Sequence, residues 1–327
     1  MSKIDLSIIV VSYNTAEITL QTLESLIKEL KSSKKLLTTQ VLLVDNNSND
    51  NSADLAKILL KSHGCIFEVI RNKENLGFAA ANNQAIKIAK GELILLLNSD
   101  TLLKPKALEM LVSCFETQPW RESTAHLESA GNKIDHLGIV AAQLLNPDGS
   151  VQPQGGSLPC LKAIACHMLM LDDLPWIGKH LPSTQHTGKS TRHQQHSGLI
   201  IQDWVGGTAM MIRREMLDEI GILDSNIFMY GEDVEFCLRA KNHHWDIAIH
   251  PNAKVVHLGS ASSSSANAIM GELKGYVYIW KKHMPDWQLP LLLLLIKLGA
   301  MLRILVFGTI LRDKKRRDIY NRVLREI

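Results

Sequence analysis

The sequence predicts an α/β protein with a doubly wound sheet, and three observations lead there. Short apolar, β-branched or leucine-rich runs alternate with stretches of helical periodicity over the first hundred residues. Polar residues stand directly after the runs, where an open parallel sheet places its ligands. The last quarter changes to a nearly unbroken apolar stretch followed by basic residues.

The first run, Leu6-Ser7-Ile8-Ile9-Val10-Val11, has the character of a strand buried on both faces. Leu20, Leu23, Ile27 and Leu30 then recur at helical spacing, and Asn14 with Glu17 three residues later resembles a capping arrangement. Residues 41–44 read as a strand, 53–60 as a helix, 66–70 as a strand, 78–89 as a helix and 93–97 as a strand. The polar residues at the strand ends are Ser12-Tyr13-Asn14, Asp45-Asn46-Asn47 and Asn98-Ser99-Asp100. From about residue 121 to 202 regularity weakens, with Asn146-Pro147-Asp148-Gly149 as a turn. Residues 178–198 are rich in His, Gln, Ser and Thr; His180, His186, His193 and His196 lack compact metal-ligand spacing, and the stretch reads as a solvated loop. Order returns at Trp204 and continues to about residue 260.

With 327 residues, 46% of them hydrophobic, the chain can bury a substantial core and is too apolar for disorder. Its net charge of +3 is unevenly placed: residues 312–327 carry seven Lys/Arg against three Asp/Glu, which leaves the rest at 29 against 30. A body without net positive charge is a poor nucleic-acid binder. Five cysteines without a C-x-x-C pair fit a reducing compartment, and the N-terminus runs into a strand with no signal-peptide pattern, so a cytoplasmic protein is expected.

Residues 289–311 are apolar apart from Lys297 and Arg303, and Arg312-Asp313-Lys314-Lys315-Arg316-Arg317 follow. Each central Lys or Arg costs about 3 kcal/mol on insertion while each Leu or Ile returns about half a kcal/mol, so spanning is marginal. A helix lying in the bilayer surface, its long cations snorkelling and its basic segment on anionic lipid, is the better expectation. The competing reading is a helix packed on protein.

Neither G-x-G-x-x-G after the first strand nor G-x-x-x-x-G-K-[ST] occurs, which removes the main support for dinucleotide and P-loop chemistry. The strand ends are instead acidic or amide-bearing. Asp45 is placed to accept from a base N–H or a ribose hydroxyl, or else to cap the helix after it. Asp100 is a candidate ligand for a hard cation, which takes one or two carboxylates and completes its shell with diphosphate and water; the plain alternative is a turn before a helix opened by Pro105. Glu232 and Asp233 stand at a helix start, as caps or with Asp233 removing a proton from an attacking hydroxyl. His257 ends another strand, as a metal ligand or a structural histidine.

In order along residues 5–260, the segments 7–14, 44–48, 75–82 (Asn75-Leu76-Gly77-Phe78-Ala79-Ala80-Ala81-Asn82), 97–100, 146–150, 204–207 (Trp204-Val205-Gly206-Gly207), 228–239 and His257 resemble the family 2 glycosyltransferases of the GT-A fold, especially their bacterial rhamnosyltransferase-like branch. The resemblance implies a GT-A doubly wound mixed sheet with C-terminal helices. Residues 1–120 would be the nucleotide-sugar half, 121–262 the acceptor and catalytic half, and 263–327 a membrane-associating helical segment. It implies nucleotide-sugar contacts from Ser12, Tyr13, Asp45, Asn75, Gly77, Asn98 and Ser99, and acceptor contacts from Trp204 and Gly207. Asp100 and His257 would hold Mg²⁺ or Mn²⁺, Asp233 would be the base and Glu232 would touch the acceptor. The metal motif here reads Asn98-Ser99-Asp100, without a first carboxylate.

The function so implied is inverting transfer of a hexose such as rhamnose from a dTDP- or UDP-type donor to a saccharide or lipid-linked acceptor in cell-envelope polysaccharide synthesis. It would take place on the cytoplasmic membrane face. Two rival readings are a catalytically silent nucleotide-sugar-binding subunit of an assembly complex and transfer onto polyprenyl phosphate itself.

Overall fold

In the computed structural model, which describes residues 4–33, 38–116, 136–171, 198–259 and 265–327, strand β1 (Leu6–Ser12) is sealed on both faces. Ile8 and Val10 join one core with Leu23, Leu26, Leu108 and Leu111; Ile9 joins the other with Ala79, Ala85 and Trp204. Helices on both sides of the sheet are why the run is continuously apolar rather than alternating.

After β1 come α1 (Ala16–Ser32), β2 (Thr39–Asp45), α2 (Ser52–Ser62), β3 (Ile66–Arg71), α3 (Phe78–Ile88) and β4 (Leu93–Asn98), in the expected alternation. The chain continues through β5 (Thr101–Leu103), α4 (Ala107–Glu116), β6 (Leu137–Leu145), β7 (Gly155–Gly156), α5 (Leu161–Met168), β8 (Ile200–Gln202), β9 (Trp204–Val205), β10 (Ala209–Arg213), α6 (Arg214–Ile220), α7 (Glu232–Asn242) and β11 (Asp246–His257). Among the described residues the main sheet runs β3-β2-β1-β4-β10-β6-β11-β5, with β8 also on β11. β1 is parallel to β2 and β4, and β2 to β3. β10 is antiparallel to both β4 and β6, and β6 is parallel to β11. The carboxyl ends of β1, β2, β3, β4, β6 and β11 therefore share one edge, which also receives the start of β10.

Three expectations need correction. β6, residues 137–145, falls where regularity was expected to weaken; it is buried along its whole length, and an apolar run without alternation carries no period to mark it as a strand. The Asn14–Glu17 cap does not form. Asn14 is left-handed (φ 53°), and the first N–H of α1, Ala16, donates to Asp50 of the neighbouring loop at 2.8 Å. Pro105 does not open α4, which begins at Ala107 after left-handed Lys106. The four histidines between 180 and 196 lie outside the described residues; the five cysteines are all free.

The C-terminal segment forms α8 (Ser265–His283), α9 (Gln288–Leu305), a π-helical turn (Val306–Ile310) and α10 (Lys314–Glu326). α9 is apolar on two opposite faces. Leu292, Ile296, Gly299 and Ala300 are buried against the body, whereas Trp287, Leu291, Leu294, Leu298, Met301 and Leu305 form an exposed stripe at alternating spacings of four and three. Arg303 does not snorkel: it is buried and donates to the Met168 and His167 carbonyls at the end of α5, because helix-end carbonyls offer a desolvated guanidinium acceptors that lipid does not.

Candidate active site

The end of β2 forms a clasp. Asn46 Nδ2 donates to Asn75 Oδ1 (2.8 Å), while Asn46 Oδ1 accepts from Asn72 Nδ2 (2.9 Å) and the Leu76 N–H (3.1 Å). Asn75 Oδ1 also accepts the Gly77 N–H at 3.0 Å. Gly77 is left-handed (φ 82°), and a Cβ there would meet the Phe228 carbonyl oxygen at 2.3 Å, so only glycine lets this loop approach the 228 segment. Asp45 is buried beside the clasp; its Oδ1 accepts the Ser48 N–H (3.0 Å), and among the described residues no hydrogen bond uses Oδ2. It serves its own turn and does not cap α2, a task Asp50 performs by accepting from the Ser52 N–H at 3.1 Å. Tyr13 is half-buried just past β1.

Residues 98–100 carry the chain from β4, mid-sheet, to β5 on the far side of β11, which takes Asp100 across the rim to His257. β5 pairs Thr101 with His257, and the Leu258 N–H donates to the Asp100 carbonyl at 2.9 Å. Asp100 Oδ1 lies 3.3 Å from His257 Nε2, and His257 Nδ1 lies 2.8 Å from Gln152 Oε1. Asn98 Oδ1 is buried with no hydrogen-bond partner among the described residues. No third His, Cys, Asp or Glu joins Asp100 and His257 among the described residues. A carboxylate and an imidazole fit a hard cation whose remaining positions belong to diphosphate and water.

At the other end of the rim, α7 opens with Glu232 and Asp233. Asp233 is half-buried, and its Oδ2 accepts the Gly207 N–H (3.3 Å) while its Oδ1 accepts the Val234 N–H (2.8 Å). Gly207 is two residues from β10, and the next residue, Thr208, accepts the Asn98 N–H at 2.8 Å. Asp233 and Asp100 thus hang from the same sheet edge. Burial raises the Asp233 pKa above the ordinary range against the pull of the Val234 and Gly207 N–H groups. Burial, then the neighbouring Asp233, push Glu232 up to about 8. Both acids are thus held above the ordinary carboxylate range, since one buried recess does not readily carry two charges. Glu232 Oε2 has no hydrogen-bond partner among the described residues.

Three expected contact residues do not face the rim. Ser12 is fully buried; its hydroxyl lies 3.0 Å from Thr19 Oγ1 and 3.3 Å from Thr15 Oγ1. Ser99 shares this knot, 3.3 Å from Thr15 Oγ1, and Thr22 Oγ1 donates to its carbonyl at 2.7 Å. These hydroxyls satisfy one another and hold the loops in place. Trp204 is buried in the core, because its strand β9 pairs with β7 over the apolar layer beneath. Gly207 does lie at the rim, against the Phe78 ring. Sequence reasoning missed the roles of Asn46 and Gln152. Asn46 stands inside a strand-end motif, while Gln152 lies just past the Asn146–Ser150 turn with nothing local to mark it.

The mostly parallel sheet with a crossing antiparallel strand is that of the GT-A fold, and the amide clasp, the Asp100–His257 pair and the Glu232–Asp233 pair lie along its ligand-bearing edge. Residues 7–119 match the family model for glycosyl transferase family 2. The first third of the chain is thus a glycosyl transferase family 2 domain, and relatives named as glycosyltransferases align well beyond it. Over 294 residues it is 23% identical to N-acetylglucosaminyl-diphospho-decaprenol L-rhamnosyltransferase of Mycobacterium tuberculosis, covering 85% of this chain and 87% of that one. It is 26% identical over 247 residues to a low-salt glycan biosynthesis hexosyltransferase of Haloferax volcanii, covering 74% and 64%. Among solved structures, GalNAc-T7 with UDP, GalNAc and Mn²⁺ superposes with a TM-score of 0.62 at 16% identity over 98% of this chain, which spans 55% of that structure. A mannosyltransferase of Pyrobaculum calidifontis with GDP-Man and Mn²⁺ gives 0.51 at 14% identity, covering 99% and 84%.

Proposed function

We propose that the protein moves a hexose, rhamnose being the leading candidate, from a dTDP- or UDP-type donor to a saccharide or lipid-linked saccharide of the cell envelope, with inversion. The observation that carries this is the Gly207–Asp233 hydrogen bond, since it ties a carboxylate of raised pKa to the rim that bears Asp100 and His257. The similarity to a rhamnosyltransferase whose name specifies a diphospho-decaprenol acceptor supports the sugar and the acceptor class.

In this reading Asp45 Oδ2 accepts the imide N–H that uracil and thymine share, and Tyr13, Asn75 and Gly77 shape the donor recess. Asp100 and His257 would hold Mg²⁺ or Mn²⁺, which supplies a Lewis acid for the departing diphosphate. Asp233 takes the proton of the incoming hydroxyl. Glu232, whose Oε2 has no hydrogen-bond partner among the described residues, meets the acceptor beside it. A single displacement without a protein nucleophile inverts the anomeric carbon.

Purified protein given a panel of UDP- and dTDP-sugars and a diphospholipid-linked N-acetylglucosamine acceptor should form one product of inverted configuration. EDTA should stop the reaction, and Mn²⁺ or Mg²⁺ should restore it. Donor binding with neither transfer nor hydrolysis would make the chain a silent subunit, and sugar appearing on polyprenyl phosphate would select the other rival.

The work is done at the cytoplasmic face of an anionic membrane, onto which the exposed stripe of α9 settles. Ile310 and Leu311 extend that apolar surface, and the exposed Arg312, Lys314 and Lys315 border it. At about 1 kcal/mol per cation, replacing these three by Ser should weaken binding to phosphatidylglycerol vesicles roughly 100-fold and leave binding to neutral vesicles unchanged. Equal sedimentation with anionic vesicles would remove the membrane assignment.

A further inference from the structure

We propose that Gln152 is the positioning residue of the cation site, presenting His257 Nε2 to the metal by accepting a hydrogen bond from the Nδ1–H. The inference rests on the metal assignment to Asp100 and His257 and extends it to a residue outside the strand ends.

The backbone holds Gln152 firmly. The turn after β6 closes with the Asn146 N–H donating to the Ser150 carbonyl (2.8 Å) and the Gly149 N–H to the Asn146 carbonyl (2.9 Å); Gly149 supplies the left-handed residue (φ 85°). Asp148 Oδ1 fastens it from inside, accepting from Ser150 N (2.9 Å) and Ser150 Oγ (2.6 Å). The chain therefore returns along β6 in a set register, with Val151 opposite Leu145 and the Gln152 N–H on the Leu144 carbonyl at 3.0 Å. Pro153 keeps Gln152 extended. Two residues on, Gln154 Oε1 accepts the Leu144 N–H (2.9 Å) and its Nε2 donates to the Ala142 carbonyl. Gln152 is thus pinned on both sides.

Its Oε1 lies 2.8 Å from His257 Nδ1. A carbonyl-type oxygen accepts only, so Nδ1 turns its N–H to Gln152, which leaves Nε2, the nitrogen 3.3 Å from Asp100 Oδ1, as the one that would face a cation held between them. Ligating histidines are fixed in this way by the partner of their other nitrogen. An amide does so without adding negative charge where a diphosphate must bind. The Asn146–Ser150 turn thereby acquires a role, since its length decides which side chain reaches His257.

The test is Mn²⁺ affinity of the full chain, followed by EPR with saturating UDP and, separately, dTDP. Gln152→Ala should weaken Mn²⁺ roughly 10- to 100-fold. Gln152→Glu, which keeps an acceptor in place, should hold wild-type affinity or tighten it, a rescue that a merely structural role would not produce. Unchanged affinity in Gln152→Ala, or Gln152→Glu as weak as Gln152→Ala, overturns the inference. Asp100→Asn separates the two claims. If it weakens Mn²⁺ while Gln152→Ala does not, only the role of Gln152 falls; if neither weakens it, the metal assignment falls as well.

Discussion

Asp233→Asn should abolish sugar transfer, with kcat lowered at least about 10²- to 10⁴-fold, the usual contribution of a positioned base. Asn retains the shape and an oxygen for the Gly207 or Val234 N–H, so the start of α7 should survive. What it lacks is a site for the proton. The raised pKa of Asp233 makes its carboxylate a stronger base than that of an exposed aspartate, and Glu232 beside it is pushed up to about 8. Nucleotide affinity should stay within a few-fold of wild type, since the clasp of Asn46, Asn75 and Gly77 is untouched. Transfer rates, nucleotide calorimetry and a thermal melt check all three points. Full activity would remove Asp233 as the base.

Glu235→Ala should destabilise the protein by about 3 kcal/mol, the lower end of what breaking a buried ion pair costs. Glu235 lies on the next turn of α7 and is wholly buried. Arg239 holds both its oxygens (3.0 and 3.1 Å), and Lys282 (2.8 Å) and His283 (2.9 Å) of α8 converge on Oε1. The lower figure applies because the stranded cations keep other partners: Arg239 donates to the Ile220 and Ile222 carbonyls, and Lys282 pairs with Asp224 at 2.7 Å. Burial alone would raise the Glu235 pKa, but Arg239, Lys282 and His283 together hold it below the ordinary carboxylate range. Its contribution is therefore present above the unfolded Glu value near 4.5 and is lost as pH falls through the lower folded value. Wild-type and variant denaturation midpoints should differ most at neutral pH and converge in acid. A pH-independent gap would mean that packing, not charge, joins α7 to α8.

Much of this architecture could be read from the residues, for a definable reason. Where helices cover both faces, a strand is an uninterrupted apolar run, and Leu6–Val11 and Leu93–Leu97 are bounded by the polar residues that end them. β6 has the same burial, but contrasting residues mark only its end, at the Asn146 turn, and an apolar run without alternation has no period of its own to show it as a strand. Ser12 and Ser99 were legible as strand-end residues, yet the direction of their hydroxyls was not: the threonines they meet, Thr15 and Thr19, lie at the start of α1, and only its packing turns them inward. Arg303 shows the same limit, since hydropathy counts a charge without knowing that α5 ends beside it.

The order of residues by itself determined the βα alternation, the polar groups that close each strand, the acid pair that opens α7 and the apolar character of the C-terminal helix. These are properties of local period and burial. Tertiary structure alone decided which polar groups meet: His257 with Asp100 and Gln152, and Asp233 with Gly207. Each of those contacts joins residues 26 to 157 positions apart, and what brings them together is the common direction of β1, β2, β4, β6 and β11, which gathers their ends on one edge.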